Sequence, residues 1–508
     1  MNQVKYSNFP ICHVFDNIFP KITKSSEFPS DLDWINTKEP LSLGKLRGHI
    51  IVLDFWTYCC INCMHTLPVL ADLEKKYDGR PVIFIGIHSA KFFNEKDKRN
   101  IEQAALRYEI SHPILVDKEM SVWNNFGVNS WPTIIIIDPN GTIVYKQSGE
   151  GQKEIIEDTI DTLLEKHEKS HTIAREPFSI TKTLQKNNTI LSFPGKIAIS
   201  NGRIAISDSN HNRIVVTDLS GKIQHIIGNG RGLSDGNFSE AMFFRPQGIA
   251  WKDDRIIVAD TENHAIRVVD LVKKQVTRLI GTGNQGPWRS NGGRGSDISI
   301  SSPWDVAVKD DLIFIAMAGS HQIWRYDINT DLAKPFAGNG QENIIDGNLM
   351  QAQLAQTSGI FIHDEIIYFT DSETSSIREI DLKTNHVRTI VGQGLFVFGH
   401  KDGNVDEALL QHPLGLCVTV KKIFVADTYN SAIRLIDLED EKVSTIIGNH
   451  GTGGICKLDD PSCDTLELYE PSDVKFYEDK LYIADTNNHL IRVYDLKTNI
   501  LKTLDIRI

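Results

Sequence analysis

Between about Leu41 and Glu168 short, continuous apolar runs alternate with stretches of helical spacing. The runs His49–Phe55, Pro81–Ile87 and Thr133–Asp138 are β-branched and unbroken, the pattern of strands buried on both faces. Apolar residues recur at helical spacing in His65–Lys76 and Lys98–Tyr108. Lys153–His167 reads as a closing amphipathic helix, with Ile155, Ile156, Ile160, Leu163 and Leu164 on one side. Asp138-Pro-Asn-Gly141 predicts a turn joining two hairpin strands, because Pro presets one dihedral and Asn-Gly tolerates positive φ. Alternation of this kind predicts an α/β sheet with helices packed on it.

Beyond about Ser170 the helical period gives way to alternation, and a repeat begins. Six times a strand leads into a turn that starts Asp-Ser, Asp-Thr or a relative of these, then a strand carrying Ile-Arg or a near relative, with an Asp three residues after the Arg place. The turns start at Asp208, Asp260, Met317, Asp371, Asp427 and Asp485, at successive intervals of 52, 57, 54, 56 and 58 residues. Asp260-Thr-Glu-Asn-His-Ala-Ile-Arg267, Asp427-Thr-Tyr-Asn-Ser-Ala-Ile-Arg434 and Asp485-Thr-Asn-Asn-His-Leu-Ile-Arg492 show the unit most clearly. One such unit cannot bury its own apolar face, whereas a closed ring of six buries all of them and leaves no long edge, so a six-bladed β-propeller is predicted. The chain is therefore divided into an α/β domain over residues 1–168, a linker over 169–186 and an all-β propeller over 187–508.

Composition changes this picture little. At 508 residues, 41% hydrophobic and 24% charged, the chain matches an ordinary folded protein of more than one domain. A formal charge of -12, from 54 basic against 66 acidic residues, argues against nucleic acid as a partner. No run of 18 apolar residues offers a membrane span, and the first ten residues lack the apolar core of a secretory signal, so the expected location is cytoplasmic. The repeated Gly-x-Gly pairs at Gly228, Gly281, Gly338 and Gly392 precede no helix and are expected to be turn glycines rather than phosphate loops.

Seven cysteines are too few and too scattered for a disulfide scaffold: Cys12, Cys59, Cys60, Cys63, Cys417, Cys456 and Cys463. Three of them cluster in Asp54-Phe-Trp-Thr-Tyr-Cys-Cys-Ile-Asn-Cys63, between a predicted strand and a predicted helix. A Cys at a helix N-terminus faces unpaired backbone N–H groups and the positive end of the helix dipole, which stabilise a thiolate. Cys60 fits that place and is the expected nucleophile. Cys63, one helical turn on, is the expected resolving thiol, within reach of a mixed disulfide at Cys60.

The repeat resembles NHL-repeat propellers, and the first domain resembles thioredoxin-like domains of the TlpA type. Together, in this order and over nearly the whole chain, they resemble the NHL-repeat-containing protein 2 family, in a short microbial-type form without the C-terminal β domain of the animal members. The resemblance implies a thiol–disulfide oxidoreductase-like activity with no cofactor. It assigns Pro132, in Trp131-Pro132-Thr133, to the cis-proline that faces the reactive pair, and Asp54 to the buried carboxylate that accepts the proton of the resolving thiol, against the plainer role of a capped strand-end Asp. His88-Ser-Ala-Lys91 is similar to a TlpA-type loop, with no mechanism attached. Two features depart from the thioredoxin pattern: Cys59 stands where Trp usually precedes the pair, and Ile61-Asn62 replaces Gly-Pro.

The leading expectation is an oxidoreductase whose propeller loops, with the Cys60 face, bind protein partners; neither a nucleic acid nor a membrane partner is expected, and the oligomeric state is left open. The alternatives are a non-catalytic interaction scaffold, a peroxiredoxin-like peroxidase suggested by the Thr57-x-x-Cys60 spacing, a metal site from Cys59, Cys60, Cys63 and His65, and a pair of inert buried thiols. Arg267, Arg378, Arg434 and Arg492 share one place in the repeat and are expected to pair with blade Asp residues. Val215 and Trp324 hold that place in blades one and three, and Met317 replaces the turn Asp of blade three.

Overall fold

The computed structural model describes residues 24–185, 188–448 and 467–507. Cys12, Cys456 and Cys463 lie outside the described residues. The described chain divides into two units, a first reaching Gln185 and a second that holds the repeats. No helix among the described residues is long and apolar enough to cross a membrane.

The first unit contains, in chain order, β1 (Trp34–Ile35), β2 (Ile50–Trp56), α1 (Ile61–Lys76), β3 (Val82–His88), α2 (Lys98–Arg107), β4 (Ile114–Val116), α3 (Ser121–Asn125), β5 (Thr133–Ile137), β6 (Ile143–Ser148) and α4 (Lys153–Lys169). The sheet order is β1-β4-β3-β2-β5-β6. β2 runs parallel to β3, and β3 to β4, whereas β5 runs antiparallel to both β2 and β6. This is the mixed sheet of a thioredoxin-like domain. β2 is buried on both faces, as its unbroken apolar run predicts. Ile51, Leu53 and Phe55 enter a cluster with Leu46, Ile85, Val122, Trp123 and Ile135 on one side. Ile50 and Val52 pack on the other side with Leu70 and Leu73 of α1 and Ile156, Ile160 and Leu163 of α4. Asp54 follows in that second series, so the strand period aims its carboxyl into the layer under α1.

The segment expected to be a linker lies along the first unit. Ala174 N–H donates to the Gly48 carbonyl at 2.7 Å, and the N–H groups of Thr183 and Leu184 donate to Asn36 Oδ1 at 3.1 and 3.3 Å.

The second unit is a six-bladed propeller. Its inner strands start at Pro194, Pro246, Pro303, Thr357, Gly415 and Asp473, and each of the six sheets has four or five strands. Every turn starting at the six positions predicted from the repeat is a short 3-10 helix followed by a left-handed residue: Asn212, His264, His321, Ser375, Ser431 and His489. The repeat exists because its side chains tie neighbouring blades. The hydroxyl after the turn Asp donates to the carbonyl that opens the next inner strand: Ser209 to Pro246 at 2.6 Å, Thr261 to Pro303 at 2.7 Å, Ser372 to Pro413 at 2.6 Å and Thr428 to Pro471 at 2.8 Å. Thr486 donates to Pro194 at 2.9 Å and so joins the last blade to the first. The left-handed residue accepts the backbone N–H just ahead of the next blade, as His489 Nδ1 does from Phe193 at 3.0 Å. Near its end the chain adds a strand-like bridge to blade one, where Ile223 N–H donates to the Arg507 carbonyl at 2.7 Å.

Arg267, Arg378 and Arg434 are buried and pair with Asp260, Asp371 and Asp427 at 2.9, 2.8 and 2.7 Å. Each also binds the loop arriving from the preceding blade; Arg267, for example, donates to the carbonyls of Met242 and Ser234 and to Asp235. The repeated glycines are turn residues. Gly281 has φ +98°, and a Cβ there would lie 2.2 Å from the His264 carbonyl oxygen, so only glycine lets the outer strand turn so close to the 3-10 turn.

Candidate functional site

The three clustered cysteines fall at the junction of β2 and α1. Cys60 is the helix N-cap: its backbone is extended (φ -79°, ψ 117°), and its Sγ accepts the Cys63 N–H at 3.4 Å. The sulfur therefore occupies the place where a Ser or Asp oxygen ordinarily satisfies an orphan N–H of the first turn. The helix begins at Ile61, a turn earlier than apolar spacing alone indicates, because the first turn is built on that cap. Of the three thiols, Cys60 reaches the surface, whereas Cys59 and Cys63 are buried. All three are free.

Cys63 sits within hydrogen-bonding reach of Cys60. Burial pushes its thiol well up; the hydrogen bond and charge of Cys60 and the charge of Asp54 push the same way, and the Thr57 backbone opposes them. Asp54 is buried at 2% exposure, and neither carboxyl oxygen has a hydrogen-bond partner. Burial raises its carboxyl to about 7, with His112 pulling it down and Glu74 adding to the rise. The Trp131–Pro132 peptide is cis. Thr133 pairs with Phe55, which puts Pro132 level with Trp56 at the end of β2 from which the cysteine loop departs. Cys60, Cys63, Asp54 and Pro132 thus converge on one end of the sheet.

Cys59 makes contacts of its own. Its N–H donates to Glu95 Oε1 at 3.0 Å, and its thiol lies 4.0 Å from Thr57 Oγ1. Glu95, fully buried, also accepts the Lys91 N–H at 2.9 Å and so ties the cysteine loop to the loop after β3. His88, the last residue of β3, has a packing role. It is buried, its ring contacts Trp56 edge-on at 4.9 Å and stacks on Tyr58 at 5.5 Å, and burial depresses its imidazole to about 3, leaving it neutral. Ser89 bonds Asp117, and its carbonyl accepts the Trp131 indole N–H at 3.0 Å. His65 Nδ1 is engaged by Glu150 at 2.5 Å, and no group of three or more His, Cys, Asp and Glu side chains among the described residues is arranged to hold a metal ion.

Sequence reasoning missed Glu74, His112 and Glu95. Glu74 falls on a helix surface by its spacing, and nothing local marks Glu95 or His112 as buried.

Comparisons with known proteins agree with the two-part fold. The thioredoxin-like family model matches residues 48–143, and the NHL repeat model matches residues 243–269. The chain is 27% identical over 125 residues to thiol-disulfide oxidoreductase ResA of Halalkalibacterium halodurans, covering 25% of this chain and 68% of that one. It is 43% identical over 500 residues to protein SUPPRESSOR OF QUENCHING 1 of Arabidopsis thaliana, spanning 93% of this chain but only 47% of that relative. To NHL repeat-containing protein 2 of Gallus gallus it is 39% identical over 521 residues, 94% of this chain and 71% of the relative. Likeness of that extent, joining a thioredoxin-like domain to an NHL propeller in the same order, makes this chain a member of the NHL repeat-containing protein 2 family.

Proposed function

We propose that the first unit is a thiol–disulfide oxidoreductase in which Cys60 is the nucleophile and Cys63 the resolving thiol, and that the propeller loops hold its protein partner. The observation that carries this reading is the N-cap geometry: the partly exposed Cys60 Sγ accepts the Cys63 N–H at the positive end of α1. The resemblance to an oxidoreductase over the same unit supports it, and the propeller part follows the common use of such folds as docking platforms.

The reaction balances without a cofactor. The Cys60 thiolate attacks one sulfur of a substrate disulfide, that S–S bond breaks, and the electron pair leaves on the other substrate sulfur, which takes a proton. Cys63, as thiolate, then attacks Cys60 Sγ; the Cys60–Cys63 bond forms, the mixed disulfide breaks, and the second substrate thiol departs. The substrate is reduced, the pair is oxidised, and an external dithiol restores it.

The test is reduction of insulin disulfides by the full chain with dithiothreitol as donor. Turnover above the dithiothreitol background that disappears in Cys60→Ser is the expected result. A wild-type chain that adds nothing to the background overturns the reading and leaves an interaction scaffold.

A further inference from the structure

Asp54 and Gly86 are partners on the adjacent parallel strands β2 and β3, so the Asp54 side chain leaves the sheet over a position that has no side chain. A Cβ at Gly86 would stand 2.9 Å from Trp56 Nε1 and 3.1 Å from His112 Nε2. The missing side chain admits these two nitrogens to the space beside the Asp54 carboxyl. Neither nitrogen has a hydrogen-bond partner, and neither has either Asp54 oxygen, although all four atoms are buried. Buried polar atoms are nearly always paired, so donors and a carboxyl left facing one gap mark a place kept for something other than stability.

The far side of His112 is fixed. Its Nδ1 bonds Glu74 Oε1 at 2.6 Å, and Ser111 Oγ donates to the other Glu74 oxygen. Glu74 lies on α1, the helix that begins at the cysteine pair, so one element carries both the resolving thiol and the clamp on the imidazole.

We propose that His112, clamped by Glu74, is a positioning residue that keeps the Asp54 carboxylate available to accept the proton of Cys63. This rests on the Cys60–Cys63 exchange proposed above. In the resolving step Cys63 gives its proton to Asp54, and its thiolate attacks the Cys60 sulfur. The Cys60–Cys63 bond forms as the bond from Cys60 to the substrate breaks, and the electron pair leaves on the substrate sulfur, which takes a proton from solvent. Asp54 returns its proton when an external dithiol reduces the pair.

The charges around the site support this arrangement. Burial pulls the His112 imidazolium down, but the charge and hydrogen bond of Glu74, with the charge of Asp54, more than reverse it and hold the ring above its ordinary range against the opposing Lys182. Burial pushes the Glu74 carboxyl up, but His112, Ser111 and Lys182 outweigh it and hold Glu74 ionised. The charged or titratable groups acting on Asp54 and its partners are therefore Glu74, His112 and Lys182, with Cys60 and Cys63 at the end of α1. A cationic His112 favours the anionic Asp54, the form that can take a proton.

The experiment is infrared titration of the full-length dithiol protein, with the Asp54 carboxyl band identified by its loss in Asp54→Asn. The wild-type midpoint is expected at about 7. In His112→Gln it moves up by about one pH unit or more, a tenfold change in protonation. Glu74→Gln removes an anion along with the charge it sustains on the imidazole, and shifts the midpoint less. The pH at which Cys63 releases thionitrobenzoate from a Cys60–thionitrobenzoate mixed disulfide follows Asp54 in each variant. A midpoint and a release profile unmoved in a folded His112→Gln overturn the proposal. If that variant does not fold, NMR titration of the wild-type His112 ring decides: a cationic ring at the pH where Asp54 ionises supports the proposal, and a neutral ring there overturns it. The infrared and ring titrations are read on the resting protein, so a chain that fails to reduce insulin but shows the His112-dependent shift loses the activity and keeps the coupling.

Discussion

Met317 and Trp324 share one apolar cluster in blade three, at the two places where blades two, four and five hold a buried Asp–Arg pair. The pair is replaced as a unit: the Trp324 indole donates to Gln322 at 3.0 Å, and Gln322 in turn donates to the Gly338 carbonyl at 2.8 Å. No charge is left behind, which is what the cost of an unpaired buried ion requires.

Breaking the pair in blade two should therefore be costly and partly repairable. Arg267→Trp leaves Asp260 buried without its cation and should cost about 3–5 kcal/mol. Adding Asp260→Met, after the pattern of blade three, should recover part of that loss. Urea unfolding of the two singles and the double measures the coupling. A double whose loss equals the sum of the singles contradicts the account.

The architecture was legible because a propeller writes its contacts into its repeat: Asp260, Thr261, His264 and Arg267 each make an inter-strand or inter-blade bond, so periodicity and chemistry coincide. The cysteine pair was legible because strand, motif and helix are consecutive. The support beneath it was not, because His112 and Glu74 are 38 residues apart and meet only once β4 is laid beside β3. The packed segment over 170–185 was equally hidden: its polar residues read as a linker, and its tie to the Asn36 side chain is made by its own backbone N–H groups, which no side-chain pattern within the segment announces.

Asp54 should weaken the fold in the pH range where it is useful. Burial raises its folded value from 3.8 to about 7, so between these limits the folded chain binds more protons than the unfolded one, and stability falls as pH rises. Asp54→Asn escapes this penalty and should be more stable than wild type by about 2–4 kcal/mol above neutrality, while its resolving step slows. Thermal unfolding at mildly acid and mildly alkaline pH checks it; a stability difference that does not grow with pH contradicts the assignment.

His489 should make the ring seam acid-sensitive in the opposite sense. Burial depresses its imidazole from 6.5 to about 4, with Asp208 opposing, and its Nδ1 must stay unprotonated to accept the Phe193 N–H. The unfolded chain then binds the extra proton first, so stability is lost as pH falls through this window, on the order of 2–3 kcal/mol. His489→Asn, which puts at the seam the residue type that Asn212 provides in blade one, should flatten that dependence. Chemical denaturation between neutral pH and about pH 4 is the measurement, and equal slopes in wild type and variant would sink the idea.

The most direct test of the Cys60–Cys63 assignment is to stop the reaction halfway. With Cys63→Ser and an excess of a disulfide-bonded protein, peptide mapping should find a stable mixed disulfide at Cys60, absent from Cys60→Ser and short-lived in wild type. Capture at Cys59, or no adduct at Cys60 under native conditions, would contradict the account.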